Sequence, residues 1–390
     1  MNFDEFPERR GTNSAKWDGM RAATGVTAPD AIAMWIADKD FSTPDFIKEA
    51  AQKQVDLDNY GYFTGEGDLN RSIAWWMKTR HNWDIDTDWI TNTYGLGNAI
   101  ALCINIYTEP DDEIIVFTPV YHEFTSKILR AGRTPKQWAM PIENGVYQLD
   151  LEGLEATLTG KEKMMLFCSP HNPAGRIWTP EELRELSAFC ARNDLLLVSD
   201  DIHHDIIYPG QTYTPLLIAA PEAAAHSIVV TAASKTFSIA GVRLGSVIIA
   251  DAGLRERFQS FVNALNIQPN LFGKVLTQAA YSERGAAWTD EMRAYIDGNH
   301  RLFLEGLADI PGVTPMPMQS TFLSWIDFSN TGMDMDEVIR RVTEDARIAP
   351  SIGADFGKGG ENFLRFNIAL PRPMLQEAVK RLQAAFADLQ

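Results

Sequence analysis

The chain has few cysteines, no excess of positive charge and no long apolar run, and each shortage narrows what it can be. Its three cysteines, Cys103, Cys168 and Cys190, are far apart and form no CxxC pair. That argues against a disulfide framework or a cysteine zinc site and fits a reducing cytoplasm. The formal charge is −17, so bulk electrostatics favour neither nucleic acid nor an anionic membrane. A phosphate-bearing ligand would need a local site built against that field. No apolar run approaches the roughly 18 residues that a transmembrane helix needs. The opening MNFDEFPERR has no apolar core of a secretory signal. Internal repeats and low-complexity tracts are missing as well.

What is present is an ordinary globular composition, 45% hydrophobic and 22% charged, over a length that exceeds one core. The middle of the chain alternates between two kinds of segment. Residues 113–119, 163–169, 195–201, 227–233 and 244–250 are short apolar runs bounded by turn residues, as expected of strands buried on both faces. Amphipathic stretches lie between several of them. The clearest is 180–193, where Thr179 reads as N-cap, Pro180 as the first helical residue and Glu182 as the return partner of a capping box. This alternation predicts an α/β fold with a mainly parallel sheet between helices. From about residue 285, helical patterns (286–306, 334–345, 373–388) flank strand-like 321–327 and 363–369, as in a smaller α+β unit. The expected organisation is an N-terminal arm over 1–45, a large domain over 46–284 and a small domain over 285–390. Met34-Trp35-Ile36 is too apolar for a free tail, so the arm should pack on the rest.

Polar residues gather at one edge of the predicted sheet. Tyr121, Asn172, Asp200 and Lys235 each follow or end one of the apolar strands, and ligands of open α/β sheets bind outside the carboxyl ends of the strands. Lys235, in TAASKTFSIAG, is an amine placed where partial desolvation lowers its pKa and allows a Schiff base. Asp200 ends an apolar strand, where a carboxylate needs a partner; a protonated pyridine nitrogen would serve, and a turn cap is the alternative. Asn172, in CSPHNPAGRIW, sits on a Pro/Gly-fixed turn and could donate to a phenolate oxygen. The ring of Tyr121 could lie on a pyridine face. Gly95-Leu96-Gly97 opens an apolar helical stretch and could offer backbone N–H groups to a phosphate, a contact to which Arg243 could add charge. Arg365, in LRFNIALPR, suits a two-pronged grip on a carboxylate. His203, His204 and Asp205 do not make a metal site on this reading, because neighbouring histidines on extended chain face opposite ways and no third ligand is suitably spaced.

The segments SPHNPAGRIW, VSDDIHHD, SKTFSIAG and LRFNIALPR resemble the fold-type I pyridoxal 5′-phosphate (PLP) enzymes of the aminotransferase class I/II superfamily. MWIADKDF, NYGY and PHNPAGRIW are most similar to the cystathionine β-lyase and cystalysin-like carbon–sulfur lyases within it. The resemblance spans about residue 30 to the C-terminus. It implies an aspartate aminotransferase-like fold with a seven-stranded type of sheet, a cytoplasmic homodimer with active sites shared at the interface, and a small amino-acid substrate. It also implies a Schiff base on Lys235, Asp200 at the pyridine nitrogen, Asn172 and His203 near O3′, and Tyr121 against the ring. Leu96, Gly97 and Arg243 would hold the phosphate together with Tyr62 from the other subunit, and Arg365 and the backbone at Ala37 would hold the substrate carboxylate. The implied reaction is α,β-elimination on cystathionine- or cysteine-type amino acids, giving pyruvate, ammonia and a thiol. Transamination is the alternative, because Lys235 serves both. A regulatory role through protein contact is a third class; no basic patch or DNA-binding motif supports a nucleic-acid role. The chain departs from the branch at Lys39 (usually Met), Asp201 (usually Glu), Ala232 (commonly a hydroxyl residue) and Arg243, which is more typical of aminotransferases.

Overall fold

A computed structural model describes residues 2–389. Its main sheet has seven strands: β1 (Ile90–Thr93), β2 (Glu113–Thr118), β3 (Thr134–Ala139), β4 (Glu162–Cys168), β5 (Leu196–Asp200), β6 (Ser227–Thr231) and β7 (Gly245–Ile248). Their spatial order is β1-β7-β6-β5-β4-β2-β3. The run from β6 to β3 is parallel. β7 is antiparallel to both of its neighbours. All five apolar runs read from the sequence are strands, and the sheet is mainly parallel as expected. β1 and β3 are the two edge strands, and neither carries a continuous apolar run; β3 is only partly buried.

The unbroken apolar character of the inner strands follows from their position between two cores. Successive side chains on a strand point to opposite faces. Ile114, Val116, Met164, Leu166 and Val198 face one core with the helix Leu96–Tyr107. Ile115, Phe117, Met165, Phe167 and Leu197 face the other with the helix Pro180–Arg192. That second helix starts as its sequence requires: Thr179 Oγ1 accepts from the Glu182 N–H at 3.2 Å, and Glu182 Oε2 accepts from the Thr179 N–H at 2.8 Å.

A second, antiparallel sheet comprises β8 (Thr314–Pro315), β9 (Leu323–Asp327), β10 (Ser351–Ile352) and β11 (Phe363–Asn367), in the order β8-β9-β11-β10. The helices Glu283–Leu307 and Arg372–Ala385 pack against each other and share its core. No helix among the described residues is long and apolar enough to cross a membrane.

The N-terminal residues are anchored, with two short regular pieces: a helical turn at Met20–Thr24 and Ile32–Ala33, which pairs in parallel with Ile348–Ala349. Lys16 and Asp40 form a buried ion pair at 2.7 Å, and the Trp17 indole N–H donates to the same carboxylate at 2.8 Å. Removing one member of such a pair strands the other charge. Asp40→Ala is therefore expected to destabilise the protein by about 3–5 kcal/mol in urea melts, whereas the exposed Asp45→Ala, which removes only a surface pair with Lys48, should change stability by less than about 1 kcal/mol.

Candidate active site

The parallel strands deliver their carboxyl ends to one cleft of about 590 Å³. Of the eleven sequence positions expected to meet a ligand, ten line the cleft: Ala37, Leu96, Gly97, Tyr121, Asn172, Asp200, His203, Lys235, Arg243 and Arg365. The eleventh, Tyr62, is elsewhere. Tyr62 is fully exposed and does not line the cleft.

Asp200 closes β5 at the floor. Its carboxylate is buried and accepts one hydrogen bond, from the Ile202 N–H at 3.1 Å. Burial raises its pKa to about 7, helped by neighbouring Asp201 and opposed by Lys235 and the Ile202 N–H. Asp201 points away, to Ser199 Oγ at 2.5 Å and to the Tyr213 hydroxyl. Lys235 stands on the short turn Ser234–Phe237 after β6, and its Nζ donates to the Ala37 carbonyl at 2.6 Å. Burial lowers its pKa from 10.5 to about 8, with Asp38 opposing and Arg365 adding to the effect.

Arg365 comes from β11 and is buried. Its guanidinium donates to Asn172 Oδ1 at 2.9 Å, the Trp35 carbonyl at 2.7 Å and Ser351 Oγ at 3.0 Å, and lies 4.8 Å from the Phe356 ring centre. It faces no carboxylate at ion-pair distance among the described residues, and burial lowers its pKa to about 10. The half-buried Tyr121 packs beside His122 and Phe124, and burial pushes its pKa up to about 12.

At the opposite end, the helix Leu96–Tyr107 begins in the cleft after Gly95, whose φ of +83° favours glycine. The first N–H groups of a helix have no partner within it, so Leu96 and Gly97 present free donors. A side chain on Gly245 would lie 2.7 Å from the Leu96 nitrogen, so that glycine lets β7 pass behind the loop. Arg243 rests against Gly95 and has no carboxylate partner among the described residues. Lys127, paired with Glu123 at 2.9 Å, reaches the same spot beside Gly97. Lys127 escaped the sequence reading because an i,i+4 Glu–Lys pair has the signature of a solvated helix face.

The site as a whole inverts the charge of the protein: Lys235, Arg243 and Arg365 surround one buried carboxylate. The polar atoms that lack protein partners match the groups of PLP and of an amino acid. Asp200 fits a cationic ring nitrogen, the Asn172 amide N–H groups and the buried, unpartnered His203 Nδ1 fit a ring oxygen, the helix start and Arg243 fit a phosphate, and Arg365 with its unpartnered Nε fits a carboxylate.

Behind the cleft, His81 from the helix Glu66–His81 reaches His204 and Asp205, bringing a third potential ligand that sequence spacing could not place. The Asp205 oxygens already accept from Trp76 Nε1 at 2.9 Å and Thr236 Oγ1 at 2.8 Å and contact His81 Nε2 at 2.9 Å. The trio is thus a hydrogen-bonded brace for the turn that carries Lys235.

The family model for aminotransferase class I and II matches residues 35–382, and the chain belongs to that family. Among curated relatives, cystathionine β-lyase PatB of Bacillus subtilis is 34% identical over 99% of this chain and 100% of its own. Among solved structures, cystalysin from Treponema denticola, which contains PLP, superposes with a TM-score of 0.94 at 33% identity, covering 100% of this chain and 99% of that one. The PLP-bound C–S lyase of Staphylococcus hominis gives 0.91 at 26% identity, covering 99% and 98%.

Only a neutral amine captures an aldehyde. The apoprotein is therefore expected to bind PLP at a rate that rises with pH through a midpoint near 8, followed by absorbance; a midpoint near 10.5, the ordinary lysine value, would contradict the desolvated setting of Lys235.

Proposed function

We propose that the protein is a PLP-dependent carbon–sulfur β-lyase that cleaves S-substituted cysteines such as cystathionine. The observation that carries the reading is the buried, singly bonded Asp200 in a cleft otherwise ringed by Lys235, Arg243 and Arg365. Bound PLP supplies an electron sink for negative charge developing at the substrate Cα. Asp200 would hold the proton on the ring nitrogen, and Asn172 and His203 would donate to the ring oxygen. Leu96, Gly97 and Arg243 fix the phosphate, with Lys127 beside them. Arg365 and the Ala37 backbone orient the substrate carboxylate. Lys235 Nζ takes the Cα proton as general base. The Cβ–S bond then breaks with its electron pair on sulfur, the thiol leaves, and hydrolysis of the remainder yields pyruvate and ammonia.

A second cavity, of about 750 Å³, shares Trp35, His122 and Ser351 with the cleft. Ile339, Ile352 and Phe356 give it apolar walls, and its formally charged lining residues are Glu344 and Asp355. That charge suits a thioether chain whose distal amino-acid group turns its ammonium toward Glu344 and Asp355 and its carboxylate toward Thr343 and Ser351. The reading extends to the assembly: Tyr62 belongs to a phosphate site of a second copy, and the molecule is a homodimer with a large domain over 46–284, a small one over 285–390 and the arm 1–45.

Purified enzyme given L-cystathionine and no keto acid is expected to release pyruvate; turnover that depends strictly on an added keto acid would mark a transaminase instead. Lys235→Ala should lower kcat at least about 10³-fold, and Arg365→Lys should raise KM roughly 10- to 100-fold by losing the paired donors. Replacing both Glu344→Gln and Asp355→Asn should raise KM for L-cystathionine several-fold while leaving S-methyl-L-cysteine unaffected. Equal effects on both substrates would remove the second cavity from the substrate path.

A further inference from the structure

Lys39 lies outside the cleft yet grips the segment on which Lys235 stands. Its side chain is fully buried, and its Nζ donates to the carbonyl of Lys235 and, at 2.9 Å, to that of Thr236. Those carbonyls belong to the single helical turn Ser234–Phe237, which ends at left-handed Ser238 with φ +56°. The last carbonyls of a helical turn lack partners within it, and a cation there is favourable. The contact is reciprocal: Lys235 Nζ donates to Ala37, two residues before Lys39, while Lys39 Nζ donates to Lys235. Thr236 is fixed independently by Asp205 at 2.8 Å.

The Lys39 ammonium sits 5.3 Å from the Phe322 ring centre and 5.9 Å from that of Trp288. No carboxylate pairs with it at ion-pair distance among the described residues. Asp38 on its own segment and Asp205 attract it from further away, Lys235 and Arg9 repel it, and the buried His203 also faces its charge. Burial is the largest influence and lowers its pKa to about 7. A thioether or alkyl side chain of the same length would fill this apolar space without the desolvation cost of an ammonium. What the lysine adds is two hydrogen bonds to the turn.

We infer that Lys39 is a positioning residue, clamping the turn that carries Lys235 through its two hydrogen bonds to that turn's carbonyls. The inference rests on Lys235 being the PLP-bearing amine.

The test uses the PLP-loaded full chain and compares wild type with Lys39→Met, which removes charge and donors, and Lys39→Gln, which keeps a donor without the charge. The pH titration of bound-PLP absorbance is read beside kcat and KM for L-cystathionine. Lys39→Met is expected to move the titration midpoint, in either direction, by loosening the placement of the amine, and Lys39→Gln to move it less. Lys39→Met should lower kcat several-fold with KM within about twofold, and Lys39→Gln should recover part of that loss. If Lys39→Met does not fold, Lys39→Gln carries the measurement. An unchanged kcat in a folded variant, or a loss in Lys39→Met that Lys39→Gln does not recover, overturns the inference whatever happens to the melt. Absence of a PLP band in wild-type protein would instead remove the parent reading, and this one with it.

Discussion

Two basic side chains of the active site, Lys235 and Arg365, both lean on the carbonyl groups of one irregular stretch, residues 34–38. Met34 accepts from the Asn367 N–H at 2.7 Å, Trp35 from Arg365, Ile36 from Asn367 Nδ2 at 2.7 Å, Ala37 from Lys235, and Asp38 from Lys16 at 2.9 Å and Asn367 Nδ2 at 2.6 Å. Buried backbone acceptors must find donors. Here they find them in the two side chains with which the reaction is proposed to work, Lys235 from the large sheet and Arg365 from the small one. The stretch thereby fixes the spacing between the amine and the carboxylate grip. The buried Lys16–Asp40 pair holds its far end.

The second organising feature is electrostatic incompleteness. Asp200 at the floor has one N–H partner, Arg365 has only neutral acceptors, and Arg243 and the start of the helix Leu96–Tyr107 have no anion. Each group is costly in isolation. Together they form a charge pattern complementary to a phosphate, a protonated ring and an α-carboxylate. That pattern explains how a chain of net charge −17 can attract an anionic cofactor: the cationic groups are concentrated in one low-dielectric cleft.

Much of this was legible from the chain alone, for identifiable reasons. Strands buried on both faces have to be apolar throughout, so β2, β4, β5, β6 and β7 stood out. Their carboxyl ends then located Tyr121, Asn172, Asp200 and Lys235. The edge strand β3 was not legible, because a partly solvated strand carries polar residues, and β1, though mostly buried, is a short ITNT run with no continuous apolar stretch. The antiparallel direction of β7 has no local signature either. Within the site, backbone acceptors are invisible to sequence: nothing marks Trp35 or Ala37 as partners of residues hundreds of positions away. Lys39 was visible as an odd residue in its motif, but only the fold shows that it faces the back of Lys235. His81 was missed for a related reason, since a ligand trio drawn from a helix and a distant turn has no fixed spacing.

The link between Trp35 and Arg365 spans 330 positions of sequence. Contacts of such separation form late, because the loop they close must be ordered first. On a ribosome, all seven strands of the large sheet and Lys235 are synthesised before β11, so the lysine precedes the guanidinium it shares the cleft with. The guanidinium that completes the site arrives with the last stretch of chain, and the order of synthesis keeps catalysis behind assembly.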